Sequence, residues 1–183
     1  MPVALFVDVP ANLGYALVYL LVAGETAGAL LPGETALILA GALAGQGKLS
    51  LPIVVGVGAA GAITGDNIGY LIGARGLRLL LRRFGPGLVR RGEVFFERHG
   101  PKAVFLARWL PGLRLVGAWF AGASRMPWPQ FLFWNALGGV AWAASVAVSA
   151  DLIGHAAGGL LGALGAAIGA VIVLAFATRR LRR

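Results

Sequence analysis

The amino-acid sequence predicts an all-α membrane protein in which transmembrane helices and two oppositely oriented re-entrant hairpins form an inverted repeat. Three observations lead to this fold class: the composition, the long uncharged segments, and two apolar segments that are broken at their centres. Hydrophobic residues make up 58% of the 183 residues and charged residues make up 13%, whereas a soluble domain has about 25% charged residues. With seven Asp and Glu in the chain, a soluble protein of this size would have too few charged side chains to cover its surface.

The positive charge is distributed as in a membrane protein. The net charge is +9; eight of the sixteen Lys and Arg lie between Arg75 and Lys102, and four more lie in residues 179–183. Because cytoplasmic loops are enriched in Lys and Arg, we expect both basic segments on the cytoplasmic side and no nucleic-acid partner. Cysteine is absent, which excludes disulfides and thiolate metal sites.

Four apolar segments are predicted to cross the membrane: residues 9–24, 51–73, 127–150 and 157–177. A helix needs roughly 20 residues to cross a hydrocarbon core of about 30 Å. The last three segments reach that length, and the residues before the first segment extend it. No Lys or Arg precedes this first segment, so we expect a span rather than a signal peptide.

Two further apolar segments are predicted to be re-entrant hairpins, because each has a Pro-Gly pair near its centre. They are residues 25–47 with Pro32 and Gly33, and residues 103–123 with Pro111 and Gly112. Proline removes a helical hydrogen bond and glycine permits a tight turn. Each arm has roughly ten residues, which is too short to cross the membrane. We expect each hairpin to return to the side from which it enters.

The predicted topology contains a hairpin followed by a span twice, in opposite orientation. With the connector 74–102 and the tail 178–183 on the cytoplasmic side, the first hairpin enters from outside and the second from the cytoplasm. This is an inverted repeat, and transporters with such repeats bind their substrates where the broken helices meet. We therefore expect a single membrane domain over residues 1–183. The basic connector is amphipathic and is expected to lie along the lipid headgroups.

Five ionisable side chains fall in the predicted membrane segments: Glu25, Glu34, Asp66, Arg108 and Arg114. An ionisable residue at the bilayer centre costs roughly 2.5–3.5 kcal/mol on insertion scales and commonly has a function. Guanidinium groups match the oxygens of a phosphate in paired hydrogen bonds. Carboxylates can bind and release protons in response to burial and to nearby arginines. We therefore expect an anion site formed by the two arginines, coupled to the three acids as proton carriers.

Structural roles are the alternative for several of these polar residues. Glu34 or Asp66 can pair with an arginine simply to hold the hairpins together, and Asn67 and Asn135 are expected to form interhelical hydrogen bonds. The five tryptophans are expected to be packing residues or interfacial anchors. The two histidines lie near opposite membrane faces, so we expect no metal site. With no nucleophile–base set and no cofactor motif, we expect no enzyme.

The motifs around the charged residues resemble those of the DedA family. They are Glu25 with the LLPGE that ends at Glu34, Gly65-Asp66 with Gly69-Tyr70, FLARWLPGLR from Phe105 to Arg114, and SRMPWPQF followed by Asn135, Gly138-Gly139 and Trp142. The resemblance covers residues 25–145. Many members have a longer E-N-x-x-P-x-x-P-G-E form of the first motif. Here Thr26 replaces the Asn and a single proline is present.

The resemblance implies a bacterial inner-membrane protein that is related to eukaryotic lipid scramblases through the VTT domain. It implies re-entrant hairpins and transport of lipid-phosphate carriers or phospholipids between leaflets that depends on the proton gradient, with undecaprenyl phosphate as the first candidate substrate. By the motif match, acidic roles fall to Glu25, Glu34 and Asp66, and basic roles to Arg108 and Arg114. The expected partners are membrane lipids and protons.

Two other functions remain open from the sequence. One is a proton-coupled transporter of a small soluble ion or drug, for which the carboxylates suit a cation but the arginine pair does not. The other is a non-transporting membrane-homeostasis protein, in which five intramembrane charges have no evident role. The sequence also leaves open the carried lipid, active or downhill transport, and whether the chain forms a homo-oligomer.

Overall fold

A computed structural model describes residues 11–76, 84–110 and 112–157, and all regular structure in them is helical. In chain order the helices are α1 Ala11–Thr26, α2 Gly33–Gly45, α3 Leu51–Gly73, α4 Pro86–His99, a 3₁₀ helix Gly100–Lys102, α5 Ala103–Ala107, α6 Leu113–Ala123 and α7 Trp128–Ala157. The all-α prediction is confirmed for this part of the chain. The predicted tail 178–183, all but the first residue of the predicted span 157–177, and Pro111 lie outside the described residues.

Among the described residues, two helices are long and apolar enough to cross a membrane by length and composition, Leu51–Gly73 and Trp128–His155. The first has the bounds of the predicted span 51–73. The second is longer than the predicted span 127–150, because α7 continues through Ala157. Residues 151–156, which lie between the predicted spans 127–150 and 157–177, are therefore helical in the structure.

Packing against α2 accounts for the extra length of α7. A Cβ added at Gly154 would lie 2.5 Å from the carbonyl oxygen of Ala42, and Gly45 lies against the backbone of Asp151. These close contacts continue the interface of α2 with α7 beyond residue 150, so tertiary packing favours helix over residues 151–156.

α1 and α2 form a helical hairpin, and residues 27–32 form its tip. The predicted boundary between a span ending at residue 24 and a hairpin beginning at residue 25 is wrong in its detail, because α1 continues without a break through Thr26. The arm that precedes the tip is therefore α1 itself, so residues 11–24 of the predicted separate span 9–24 belong to the first arm of this hairpin.

A Schellman motif ends α1. Gly28 has a φ of 101°, and its N–H donates to the carbonyl of Glu25 at 3.0 Å, while the N–H of Ala29 donates to the carbonyl of Gly24 at 2.9 Å. Glycine favours this left-handed position because it has no Cβ. Gly28, rather than residue 24, thus determines where α1 ends.

The second arm of each hairpin packs in parallel on the long helix of the other half of the chain. α2 lies along α7, and a Cβ added at Gly41 would be 2.6 Å from the carbonyl oxygen of Ala147. α6 lies along α3, where a Cβ added at Gly69 would be 2.8 Å from Trp119 and where Gly122 lies against Tyr70. Glycines permit both close approaches.

α4 covers the α5–α6 hairpin. Pro86 is its first residue, a position where the missing N–H of proline costs nothing. Val89 and Phe96 are buried against the hairpin, with the ring of Phe96 4.9 Å from that of Phe120. Within the described residues, Glu93 and Glu97 form no ion pair with Arg90 or Lys102.

Candidate functional site

The structure brings the five predicted intramembrane charges together at the tips of the two hairpins. Arg108, in the turn after α5, donates through Nη2 to Oδ2 of Asp66 in α3. Arg114, in the first turn of α6, donates through Nη2 to Oε1 of Glu25 and through Nη1 to Oε2 of Glu34, the latter at 2.5 Å. α1, α2, α3, α6 and the turn after α5 therefore meet in one charge cluster.

The inner part of the cluster is a buried polar unit of three side chains. Asp66 and Arg108 are each 8% exposed, and Asn135 is fully buried. Nη2 of Arg108 also donates to Oδ1 of Asn135 at 2.7 Å, and Nδ2 of Asn135 donates to the carbonyl of Ile63 at 3.3 Å. The interhelical hydrogen bond expected for Asn135 is present, and the same amide also orients Arg108.

Two glycines of α7 make room for Arg108. A Cβ added at Gly138 would lie 3.1 Å from Cδ and 3.2 Å from Nε of Arg108, and one added at Gly139 would lie 3.6 Å from Nη2. The Nε of Arg108 is the buried side-chain nitrogen that has no hydrogen-bond partner within the described residues. A buried donor without an acceptor costs about 1–3 kcal/mol, so Arg108 retains a donor for a further acceptor.

The outer part of the cluster clamps the first hairpin tip. Oε2 of Glu25 accepts the backbone N–H of Glu34 at 2.6 Å, in the first turn of α2, where backbone donors have no helical partner. The side chains of Glu25 and Arg114 are 16% and 19% exposed, and that of Glu34 is 45% exposed. Glu25 thus occupies the place at the start of α2 that an anion would take.

An open cleft of about 490 Å³ lies beside the cluster. Its lining comprises Glu25, Glu34, Arg108, Trp109, Gly112, Arg114, Trp142 and Val146. Trp142 is almost fully buried, Trp109 is 48% exposed, and the guanidinium carbon of Arg114 lies 5.3 Å from the centre of the Trp142 ring, a cation–π distance. The cleft combines charged groups with aromatic walls, and its volume suits a small ligand or a lipid headgroup.

The charge count of the cluster limits what it can bind. Three carboxylates face two guanidinium groups, and both arginines already contact carboxylates. An arriving anion must displace a carboxylate from an arginine or be accompanied by a proton, because an unpaired charge in a partly buried site is costly.

The predicted hairpin-tip residues lie next to the cluster. Gly33 is the first residue of α2, and a Cβ there would lie 2.6 Å from the carbonyl oxygen of Leu21 and 2.7 Å from Oε2 of Glu25. Pro32 precedes it. Gly112 has a φ of 83° and precedes the first turn of α6.

Reasoning from the sequence missed Thr26 and Trp142 as site residues. The buried hydroxyl of Thr26 donates to the carbonyl of Val22 at 2.9 Å, and Thr26 lines the inner end of the site together with Trp142. The helical period contains the signal for Trp142: it follows Asn135 by two turns of α7 and so lies on the same helix face. For Thr26 the signal is its position directly after Glu25.

Comparisons with known proteins agree with the resemblance to the DedA family. A model of the VTT domain matches residues 31–152. The chain is 40% identical over 164 residues to the uncharacterized membrane protein Rv2637 of Mycobacterium tuberculosis, covering 84% of this chain and 75% of that protein. It is 36% identical over 157 residues to the uncharacterized membrane protein slr0232 of Synechocystis, covering 78% and 68%. It is 40% identical over 118 residues to the inner membrane protein YohD of Escherichia coli, covering 63% and 62%. No solved structure matches the chain.

Proposed function

The chain belongs to the VTT-domain family of membrane proteins, and from this premise we propose that it moves an anionic lipid headgroup between the leaflets of the bacterial inner membrane. The substrate class is a lipid phosphate, with undecaprenyl phosphate or a phospholipid as the first candidates. The observation that carries the proposal is the pair of arginines in a charge cluster at two facing hairpin tips, beside an open cleft.

In this proposal both hairpins re-enter the membrane, from opposite sides. The contacts support this arrangement: the N–H of Ser50, at the start of α3, donates to the hydroxyl of Tyr15 near the start of α1 at 2.8 Å. Both ends of the α1–α2 hairpin therefore lie near the start of α3. The ends of the α5–α6 hairpin lie near the other end of α3, where Gly73 packs on Trp119. We assign that second side to the cytoplasm, because α4 is rich in arginine and cytoplasmic segments are enriched in basic residues.

The headgroup phosphate would enter the cleft and compete with the carboxylates for the arginines. Arg114 is the first contact, because it lines the cleft and is partly exposed. Displacement of Glu25 would also free the N–H of Glu34 for a phosphate oxygen. The phosphate oxygens of the headgroup would thus replace carboxylate oxygens as acceptors for the arginines, while the apolar tail remains in lipid.

Protons would balance the added negative charge. Because the carboxylates already outnumber the arginines, phosphate entry favours protonation of a displaced carboxylate. Glu34 is the best placed of the three to exchange a proton with solvent, since its side chain is 45% exposed. Asp66 would respond more slowly from its buried position. Release of the lipid would then release the proton, which couples the two movements by linkage.

A second candidate is a proton-coupled transporter of a small soluble cation. The observation that favours it is the carboxylate in excess over the arginines, since a cation could bind there without displacing an ion pair. The two candidates differ in what crosses the membrane, and one preparation can test both.

The test reconstitutes the purified protein in phosphatidylcholine vesicles and measures flipping of a phosphatidate labelled on an acyl chain, with cation flux followed in the same vesicles. Arg114→Lys and Arg108→Lys are compared with Arg125→Lys, which changes an exposed arginine outside the cluster. Lysine retains the charge but not the forked donors, so each cluster variant is expected to lose flipping by roughly tenfold or more. Flipping at the wild-type rate in both, or cation flux without lipid movement, would refute the proposal.

A further inference from the structure

A second cavity lies on the other side of the second hairpin tip. It has a volume of about 480 Å³ and lies between α4 and the α5–α6 hairpin. Its basic lining residues are Arg90, Arg91 and Arg98 with His99, and its apolar lining includes Phe95, Leu110 and Leu113. None of these residues belongs to the charge cluster. We call this cavity the basic groove.

The charges of α4 are separated between two of its sides. The three arginines line the basic groove, whereas Glu93 and Glu97 line a different cavity that also contains Arg125. No carboxylate lines the basic groove, and none of its arginines forms an ion pair in the described parts of the chain. The groove therefore offers positive charge that no acid there neutralises, which favours an anionic occupant.

The basic groove runs along the second hairpin from its base to its tip. Near the tip, a Cβ added at Gly112 would lie 3.2 Å from Cδ1 of Leu88 at the start of α4. At the base, α4 ends at His99 and the chain turns directly into α5. From Arg90 to Arg98 the helix rises by about 12 Å. The arginines thus lie at successive depths along the hairpin.

The tip of the second hairpin lies between the basic groove and the cleft of the charge cluster. Leu110 and Leu113 line the groove, while Trp109 and Gly112, their neighbours in the chain, line the cleft. The groove is open to apolar surroundings as well, since Val94 is 56% exposed and Leu110 is 38% exposed. A ligand with a phosphate and an apolar tail matches both properties.

We propose that the basic groove is a second anion site, which holds the phosphate of an anionic lipid on its way between the membrane surface and the cleft. The direction in which the lipid moves rests on the proposed function. Binding of a lipid phosphate at the basic groove does not depend on it. The guanidinium groups bind the phosphate, and the exposed apolar residues contact the start of the tail. Its occupant is a lipid rather than free phosphate, because a free phosphate ion gains nothing from contact with the exposed apolar residues of the groove.

The experiment compares two doubly substituted full-length proteins of equal net charge. Arg90→Gln/Arg98→Gln removes two groove arginines, and Arg75→Gln/Arg125→Gln removes two exposed arginines elsewhere. Phosphatidate retained by each purified protein is measured by native mass spectrometry, with inorganic phosphate as a parallel probe. In phosphatidylcholine vesicles, flipping is measured as the phosphatidate fraction is raised.

The groove variant is expected to retain roughly thirtyfold less phosphatidate than the control variant, since each of the two removed arginines contributes about 1 kcal/mol to binding an anionic lipid near a membrane surface. Its flipping should be slow at low phosphatidate fractions and reach the wild-type rate at high fractions, because the charge cluster is intact. Equal phosphatidate retention in the two variants would overturn the inference, as would a groove that binds inorganic phosphate but no phosphatidate. If the wild-type protein flips no lipid, the proposed function fails. The retention measurement still tests whether the basic groove binds an anionic lipid.

Discussion

Arg114 joins the two sides of the first hairpin tip through separate nitrogens, one to Glu25 at the end of α1 and one to Glu34 at the start of α2. A lysine has one nitrogen and cannot reproduce that geometry. Glu25 in turn contacts the backbone of α2. A single arginine and a single glutamate therefore connect α1, α2 and α6, and the same contacts are those that a phosphate would exchange.

Glu25→Gln should lower the free energy of unfolding, because it weakens a charge-assisted hydrogen bond and the contact at the start of α2. We expect a loss of about 1–2 kcal/mol, in the range of partly buried hydrogen bonds to charged groups. The measurement is thermal unfolding in detergent. Glu97→Gln, an exposed change on α4, is the control and should have no effect. Equal stability of the two variants would mean that Glu25 does not hold the tip.

Gly138→Val should displace Arg108 from Asp66, because the added side chain would occupy the space beside Cδ and Nε of the arginine. We expect flipping to fall to a small fraction of the wild-type rate, with a stability cost of about 1–3 kcal/mol for the overpacked interface. Gly56→Val in α3 is the matched control, since no atom lies within 4 Å of a Cβ added there. Normal transport by the Gly138 variant would show that the position of Arg108 is not required.

At the scale of helices, each hairpin is held by the opposite half of the chain. α2 lies on α7 and α6 lies on α3, while α1 packs on α3 and α5 contacts α7. Each half therefore contributes a hairpin and a long helix in equivalent relations, the arrangement expected of an inverted repeat. If the hairpins re-enter the membrane as we propose, burial of each tip between the long helices would satisfy the backbone hydrogen bonds of its non-helical residues.

Cysteine accessibility tests whether the hairpins re-enter the membrane. We expect Asn12→Cys and Gln46→Cys to react with a membrane-impermeant maleimide from the periplasmic side, and Lys102→Cys and Arg125→Cys from the cytoplasmic side. The chain has no native cysteine, so each label reports one position. Labelling of the two members of a pair from opposite sides would show that the segment between them crosses the membrane.

The helix boundaries show what local sequence can and cannot predict here. The break near Pro32 and Gly33 was predictable because proline and glycine act locally. The end of α1 was displaced to Gly28 because a Schellman motif also needs hydrogen bonds of the surrounding turn. The extension of α7 to Ala157 depends on contacts with α2. Such contacts join residues far apart in sequence, so no local pattern reveals them.

For the whole molecule, family membership follows from the matched VTT domain and the relatives, and the resemblance to the DedA family is confirmed. All five charges of the cluster were predictable, because ionisable residues are conspicuous in apolar segments. Their partners were not, because the pairing of each arginine depends on how α1, α3 and α6 pack. The sequence showed which groups have to be neutralised, and the packing decides which group neutralises which.

The charge of the cluster as a whole predicts how lipid binding depends on pH. With carboxylates in excess over arginines, a phosphate enters more readily when one carboxylate is protonated, so affinity for a lipid phosphate should fall as pH rises through the range in which that proton is lost. Glu34→Gln keeps the shape of the side chain but fixes it as neutral, and it should therefore flatten the pH profile strongly. Asp66→Asn should flatten it less, because its buried partner Arg108 lies deeper in the site.

Phosphatidate binding to the purified wild type and to both variants, measured across pH, tests this prediction. Glu93→Gln, which neutralises an exposed carboxylate on α4, is the control and should leave the profile unchanged. Steep wild-type profiles in both cluster variants would remove Glu34 and Asp66 from proton coupling. Their contacts with the arginines would then serve to hold the hairpin tips together, and the remaining pH dependence would be assigned to Glu25, the third carboxylate of the cluster.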